Sequence, residues 1–448
     1  METADAGSAG ATTVAGLKSF VADQVRTRVL CFINASMHGL AAAWGAGKSS
    51  RAGEMDSLTH VQIEEAVEAI EAFRDFIVGC KIRLCAGAAD GGKNEREAYA
   101  RVQAICERVG LPLMVHHNFS TVPIGDCPGA DASPSKLRKG DIYTHAFHGL
   151  ETHIIDQSVS GGRVDAAVLE ARARGVIFDV GHGGGSFHWP VAEIAAAEGF
   201  WPDTISTDLH RDSKDGPAYD LPTVLTKWLT LGMPLEEVIA AATSRAAAAI
   251  GWGDRIGSLE VGREADVTVL QLQPVDVMLP DCCSQVRHCT TRIMPRAVWR
   301  AGASAPITEP ECEWPNPESM ALNRPQYDIA EVRDATAPPA SPPELLDELR
   351  RKHGRRVEGA PPEDGWPNTE IFYVDWNRFS NEMPGGDVAV GAIGAGAVWS
   401  PSKSRWIWNP LEEQVKQRLA AIQMSCICPG CGPVANVPGN WDCSVVPS

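Results

Sequence analysis

The 448-residue chain has no apolar run long enough to cross a bilayer, which takes about twenty such residues in succession. It is short of positive charge: 40 Lys and Arg stand against 57 Asp and Glu, a net charge of −17. Nucleic acids and anionic lipid surfaces are bound through basic faces, so this balance argues against both as partners. Met1–Thr13 has neither a basic stretch nor an apolar one and so lacks the pattern of a secretory signal. A cytoplasmic location is the expectation. Gly7-Ser8-Ala9-Gly10 falls short of the glycine-rich phosphate loop that opens a dinucleotide-binding sheet. The thirteen cysteines, in a chain without a leader, read as reduced thiols, most of them small buried apolar side chains.

What is present is an ordinary folded composition, 44% hydrophobic and 22% charged, enough for a sizeable core. From about residue 25 to 256, short apolar runs alternate with longer helical patterns. The runs are Thr27–Ile33, Phe76–Leu84, Leu111–His116, Asp141–Ala146, Gly175–Val180 and Thr204–Asp208. Helical spacing marks Val61–Asp75, Glu95–Val109, Val164–Arg174 and Pro190–Ala197. Strands alternating with helices predict a parallel sheet with helices outside it. Lys81, His116, His145, His182 and Asp208 end the later strands at intervals of 35, 29, 37 and 26 residues. Each interval holds one strand, one helix and two loops, the repeat of a (β/α)8 TIM-like barrel. In such a barrel the C-terminal strand ends face the active site, and histidines with a carboxylate there suit a divalent metal. Any one of them alone would more often be a hydrogen-bonded rim or core residue.

Beyond the barrel, Arg255–Leu272 reads as a turn followed by a strand. The stretch 306–368 is rich in Pro, Glu and Ala and reads as linker, with a helix start at Ser341–Arg351. The last part, 369–448, holds Trp376, Trp399, Trp406 and Trp408, best read as packing residues, and a helical pattern at Leu411–Met424. Cys428 and Cys431 form one Cys-x-x-Cys beside Cys426, with Cys443 beyond, but no second pair stands at zinc-site spacing. These, like Cys282, Cys283 and Cys289, are read as unligated.

The stretches VGCKIRL (78–84), GLPLMVHH (110–117), GDIYTHAFHG (140–149), GVIFDVGHG (175–183), PDTISTDLH (202–210) and IGSLEVGREADVTVL (256–270) together resemble the deacetylase/dihydroorotase-like branch of the amidohydrolase superfamily. The resemblance runs from about residue 4 to 272. It implies a barrel over 1–255, part of a small β-sandwich over 256–305, a linker over 306–368 and an extension of unknown function over 369–448. It also implies a metal-dependent hydrolase of amide, cyclic amide or ester bonds in small molecules, deacetylase-like, working through metal-bound hydroxide.

Residue by residue, Lys81 matches the lysine that carbon dioxide converts to a carbamate. His116 and His145 match two metal-binding histidines. Asp208 matches the aspartate that touches the metal and serves as general base and acid, and His182 a histidine near the substrate. One or two divalent ions, zinc by preference, are the implied cofactor; a small-molecule substrate and a second copy of the chain are the expected partners. His117, next to a ligand on a strand, should face away from the barrel axis, and His148 has no counterpart role. The sequence departs from the pattern in one respect: it contains no His-x-His, the pair these enzymes carry on their first strand. The match begins at the second strand, so the barrel is expected to be incomplete at strand one. The alternative is a catalytically degenerate scaffold whose extension binds a partner.

Overall fold

A computed structural model describes residues 2–40, 53–125, 132–150, 152–210, 213–283 and 285–307, with six short strands beyond. The chain divides into two compact units, Met1–Ala46 with Ser50–Val332, and Gly47–Ser49 with Arg333–Ser448.

The first unit is built on one parallel sheet of β1 (Glu2–Ala6), β2 (Arg28–Asn34), β3 (Ile77–Leu84), β4 (Leu113–His117), β5 (Ile142–Thr144) and β8 (Ile177–Phe178), in that spatial order. Chain order and spatial order agree from edge to edge. A doubly wound sheet would reverse direction at a switch point, so this is the wall of a curled barrel. A small hairpin of β6 (Ile155–Asp156) and β7 (Arg163–Val164) branches off between β5 and β8. The expected strand at Thr204–Asp208 is reduced to one bridge, Asp179 to Thr204. The segment still runs alongside, since the N–H groups of Val180, His182 and Gly183 donate to the carbonyls of Thr204, Ser206 and Thr207. Positive φ at Gly181, Gly183 and Asp208 bends it out of ladder geometry. Among the described residues the barrel is therefore incomplete: six paired strands and a seventh position.

Alternation of side chains across the sheet sorts the interior into two layers. Leu30, Phe32, Val78 and Ile142, with Ala4, Met114 and Ile177 against them, form an apolar plug inside the barrel. Phe32 fills the space a side chain at position 79 would need, which is why Gly79 stands there: an added Cβ would sit 2.4 Å from its ring. The second layer lies between the sheet and the helices α1 (Val14–Phe20), α2 (Ile63–Ala72), α3 (Glu95–Val109), α4 (Ala166–Arg174), α5 (Trp189–Ala197), α6 (Leu221–Thr230), α7 (Leu235–Ala242) and α8 (Ser244–Ala249). Cys31, Ile33, Ile82, Leu84 and Val115 face it from the strands, and Tyr99, Val102, Val168, Trp189 and Trp228 from the helices. The helical pattern Glu95–Val109 is α3 end to end, because its buried residues recur at helical spacing.

Two long antiparallel strands follow, β9 (Val267–Pro280) and β10 (Val286–Arg300), edged by β11 (Ala303–Ala305). The expected strand after Arg255 thus begins at Val267 and runs eight residues past Leu272.

In the second unit, β12 (Arg355–Arg356), β13 (Phe372–Asp375), β14 (Gly396–Ser400) and β15 (Arg405–Trp408) form a sheet, and β16 (Ile427–Cys428) pairs with β17 (Gly432–Pro433). β12 falls within the stretch read as linker. The helical patterns at Ser341–Arg351 and Leu411–Met424, residues 126–131, and the side chains of the tail cysteines and tryptophans lie outside the described residues. Among the described residues no helix is long and apolar enough to cross a membrane.

Trp228 is fully buried on α6, edge-to-face with Phe147 at 4.6 Å and near Phe187 at 5.8 Å. Trp228→Ala should cost about 3–5 kcal/mol of unfolding free energy, read by urea denaturation. A loss below about 1 kcal/mol would show that α6 is not anchored through this ring.

Candidate active site

Above the apolar plug the inward-facing residues turn polar. β2 ends in Asn34, in register with Lys81 of β3; Arg83 of β3 is in register with His116 of β4, and His116 with Thr144 of β5. They form two adjacent rows at the C-terminal rim, Asn34 with Lys81 and, two residues further along β3, Arg83 with His116 and Thr144, so the pairing that builds the wall also collects the chemistry.

The rings of His116 and His145 meet edge-to-face, with centroids 4.3 Å apart. Nδ1 of His145 lies 2.5 Å from the Gly181 carbonyl. A carbonyl only accepts, so Nδ1 carries the proton and Nε2 keeps its lone pair, the form that binds metals. Burial holds both imidazoles well below their ordinary pKa; for His116 the neighbouring His145 and Lys81 add to this, and for His145, Lys81 does. Both rings are therefore neutral, as ligands must be.

Lys81 is 4% exposed. Burial lowers its amine to about 8, opposed by the charges of Asp208, Asp179 and Glu54 and assisted by Arg83. Burial raises the Asp208 carboxyl, while Lys81 pulls it down. Gly7 lets the backbone pass close to Lys81, where a Cβ would sit 2.9 Å from Cγ. Positions 181 and 183 serve the other side. A Cβ on Gly181 would lie 2.7 Å from His145 Nδ1, and one on Gly183 would lie 2.5 Å from Asp208 Oδ2. Both glycines have φ +49°, and His145 and Asp208 themselves have φ +61° and +42°. Non-glycine residues in that region carry strain that the surroundings must impose, a mark of functional positions.

The structure thus gathers Lys81, His116, His145 and Asp208 at one rim. Among the described residues no three His, Cys, Asp or Glu side chains converge as a cation cage. Two neutral imidazoles and a carboxylate are donors suited to a divalent metal; an ammonium at Lys81 would repel the ion, so the set fits a metal with Lys81 uncharged or converted to an anion. His182 is placed differently. It is fully buried, its Nδ1 is 2.9 Å from the Gly183 carbonyl, and its Nε2 is 2.7 Å from Lys227 Nζ. No ring nitrogen is left for a ligand. His117 faces away as its strand parity requires, buried against Tyr143 Oη (3.0 Å) and the Val122 carbonyl (2.8 Å). His148 bonds the His117 carbonyl at 2.8 Å.

Two groups escaped the sequence reading. Asp179 accepts from the hydroxyls of Thr144 (2.6 Å), Thr204 (2.7 Å) and Ser206 (2.7 Å) and so stitches three wall segments together beneath the rim. Glu54, 1% exposed, pairs with Arg83 Nε at 2.5 Å and accepts from Asn34 at 3.0 Å. The first was hidden in an apolar run. The second lies outside the strands and gave no signal.

Four histidines outside the rim, His153 half-buried and the others buried, titrate far below 6.5: His117, His153 and His188 near 4 and His148 near 3, with desolvation the leading cause in each. The unfolded chain takes up their protons first as the pH falls. Stability present above about pH 6.5 is then lost toward pH 4, at about 1.4 kcal/mol per pH unit for each group. Tm should fall steeply from about pH 7 to 5, and His153→Gln should flatten that slope by about one proton. A Tm that is flat over this interval contradicts their burial as neutral rings.

A model of the amidohydrolase family matches residues 188–302. The chain is 33% identical over 293 residues to a deacetylase of Enterococcus faecalis, spanning 65% of this chain and 74% of that protein. It is 32% identical over 295 residues to a deacetylase of Agrobacterium fabrum, spanning 65% and 67%. Among solved structures it is similar to an adenine deaminase (30% identity, TM-score 0.60, 68% of this chain and 77% of that one) and a dihydroorotase (29%, 0.58, 68% and 76%). On the strength of the shared sequence and the shared barrel wall, the chain belongs to the amidohydrolase superfamily, and its deacetylase, deaminase and dihydroorotase relatives support a hydrolase of carbon–nitrogen bonds other than peptide bonds.

Proposed function

We propose that this chain is a metal-dependent hydrolase of amide, cyclic amide or ester bonds in small molecules, with deacetylation the preferred reaction. The observation that carries it is a buried lysine beside two neutral imidazoles and a carboxylate. An ammonium repels a cation. An amine lowered to about 8 is partly neutral near physiological pH. Its nitrogen can then bond the carbon of carbon dioxide, release a proton to solvent, and leave a carbamate anion. Lys81 in that form, His116, His145 and Asp208 would hold the ion, with zinc suited to such donors. A divalent ion there supplies Lewis-acid polarisation of the scissile carbonyl and of water. Asp208, its carboxyl raised by burial, accepts the proton of the attacking water and passes it to the leaving nitrogen or oxygen. The acidic chain suits a small-molecule substrate, and a homo-oligomer in the cytoplasm completes the reading.

The deacetylases among its relatives favour an N-acetyl or O-acetyl substrate. A second reading, a non-catalytic barrel whose extension binds a partner, is favoured by the absence of His-x-His from the sequence. The purified chain should hold stoichiometric zinc and release acetate from members of a panel of acetylated small molecules. Chelation should abolish the release, and zinc with bicarbonate restore it. Lys81→Ala should lose the metal and lower turnover on the order of a thousandfold. A folded chain that binds no metal and releases no acetate favours the scaffold. Gly183→Ala, which crowds Asp208 Oδ2, should lower kcat about tenfold or more at unchanged metal content. Unaltered kcat in that variant would remove Asp208 from the proton transfer.

A further inference from the structure

The barrel mouth holds a second buried amine. Lys227, on α6, is fully buried. Its Nζ meets three acceptors: the Pro280 carbonyl at 2.5 Å, His182 Nε2 at 2.7 Å and the Pro217 carbonyl at 2.9 Å. An ammonium has three donors, so the set is complete. The Phe187 ring lies 5.2 Å from the charge. The acceptors come from three separate places: the end of β9, the loop after β8 and the loop before α6.

The tautomer of His182 follows. Its Nδ1 is 2.9 Å from the Gly183 carbonyl, which only accepts, so the ring proton is on Nδ1 and the Nε2 lone pair faces Lys227. The ring also stacks on Phe187, with centroids 4.9 Å apart and planes 15° from parallel. Its backbone is tied to the catalytic segment: His182 N–H donates to Ser206 O at 3.2 Å, and Gly183 N–H to Thr207 O at 2.8 Å. Gly183 is the residue whose close approach bounds the Asp208 carboxylate.

We infer that Lys227 is a positioning residue: by fixing the ring of His182 it sets the 182–183 backbone against Ser206–Asp208 and so aims the Asp208 carboxylate. The role of Asp208 in this rests on the hydrolase reading above; the hold of Lys227 on His182 does not.

The test uses the full chain. Histidine ring nitrogens are followed by 15N NMR in wild type, Lys227→Met and Lys227→Arg, and kcat and KM are measured on an acetylated compound that the wild type hydrolyses. In wild type His182 should be a single neutral tautomer protonated at Nδ1. Lys227→Met should shift it to a mixture or to the Nε2–H form. It should lower kcat about tenfold to a hundredfold with KM within about twofold, and Lys227→Arg should recover part of the loss. A wild-type His182 protonated at Nε2 overturns the inference without any variant. So does a folded Lys227→Met chain with the original tautomer, or with wild-type kcat. If the wild type releases no acetate from any compound, the hydrolase reading fails, while the tautomer result still decides whether Lys227 holds His182.

Discussion

An amine taken out of water at the end of an apolar plug must find anionic partners or give up its proton. Lys81 does some of each. The layer of Leu30, Phe32 and Ile142 beneath it lowers its proton affinity, while Asp208, Asp179 and Glu54 work the other way. The neighbouring features follow from that balance. The imidazoles of His116 and His145 stay neutral because a buried positive charge beside them would be repelled as well as desolvated. The buried carboxylates are admitted because each has partners, three hydroxyls for Asp179 and the Arg83 guanidinium for Glu54. Left without such partners, a carboxylate in this layer would take up a proton instead.

The rim separates structural charges from chemical ones by how completely each is satisfied. Asp179 receives three hydroxyls, and Lys227 gives its three protons to three acceptors. Such groups hold the wall and have nothing left to offer a ligand. His182 belongs with them, although its strand-end position put it among the chemical residues in the sequence. His145 is the opposite case: one nitrogen is anchored on the Gly181 carbonyl, which leaves the other available. His188 is a third kind. It is 6% exposed; among the described residues neither ring nitrogen has a hydrogen-bond partner, and Asp281 Oδ2 is 4.0 Å from Nε2.

The barrel wall was legible in the sequence because its signal is periodic. Apolar runs recurred at strand-plus-helix spacing, and the polar residue ending each run marked the rim. β3, whose two faces are both buried, read as a nearly continuous apolar run, and the lysine interrupting it stood out. Elements without periodicity were misjudged. Thr204–Asp208 has the composition of a strand, but the bends at Gly181, Gly183 and Asp208 reduce its pairing to one bridge. Lys227 could not be found from sequence at all. A lysine on an amphipathic helix reads as solvated, and its burial depends on the Pro280 carbonyl, 53 residues away.

The burial pattern of the β9–β10 hairpin says what that hairpin does for the barrel. Away from the turn β9 is open to solvent, with Val269 46% and Leu272 45% exposed, whereas Leu279 beside the turn and Cys289 and Ile293 of β10 are fully buried. Free energy gained by removing apolar surface from water is therefore concentrated at the turn end of β9 and along one face of β10. In the middle of β10, Ile293 N–H donates to Thr226 Oγ1 on α6 (3.1 Å). At the turn end Trp189 Nε1 donates to Leu279 O (3.0 Å), Trp189 N to Asp281 Oδ2 (3.0 Å) and Cys282 N to Phe187 O (3.0 Å). The bonds at the turn end land on the segment 187–189, which continues the 182–183 backbone bounding Asp208. A sheet read from sequence as part of a sandwich is, at its buried end, a buttress of the rim that carries Asp208.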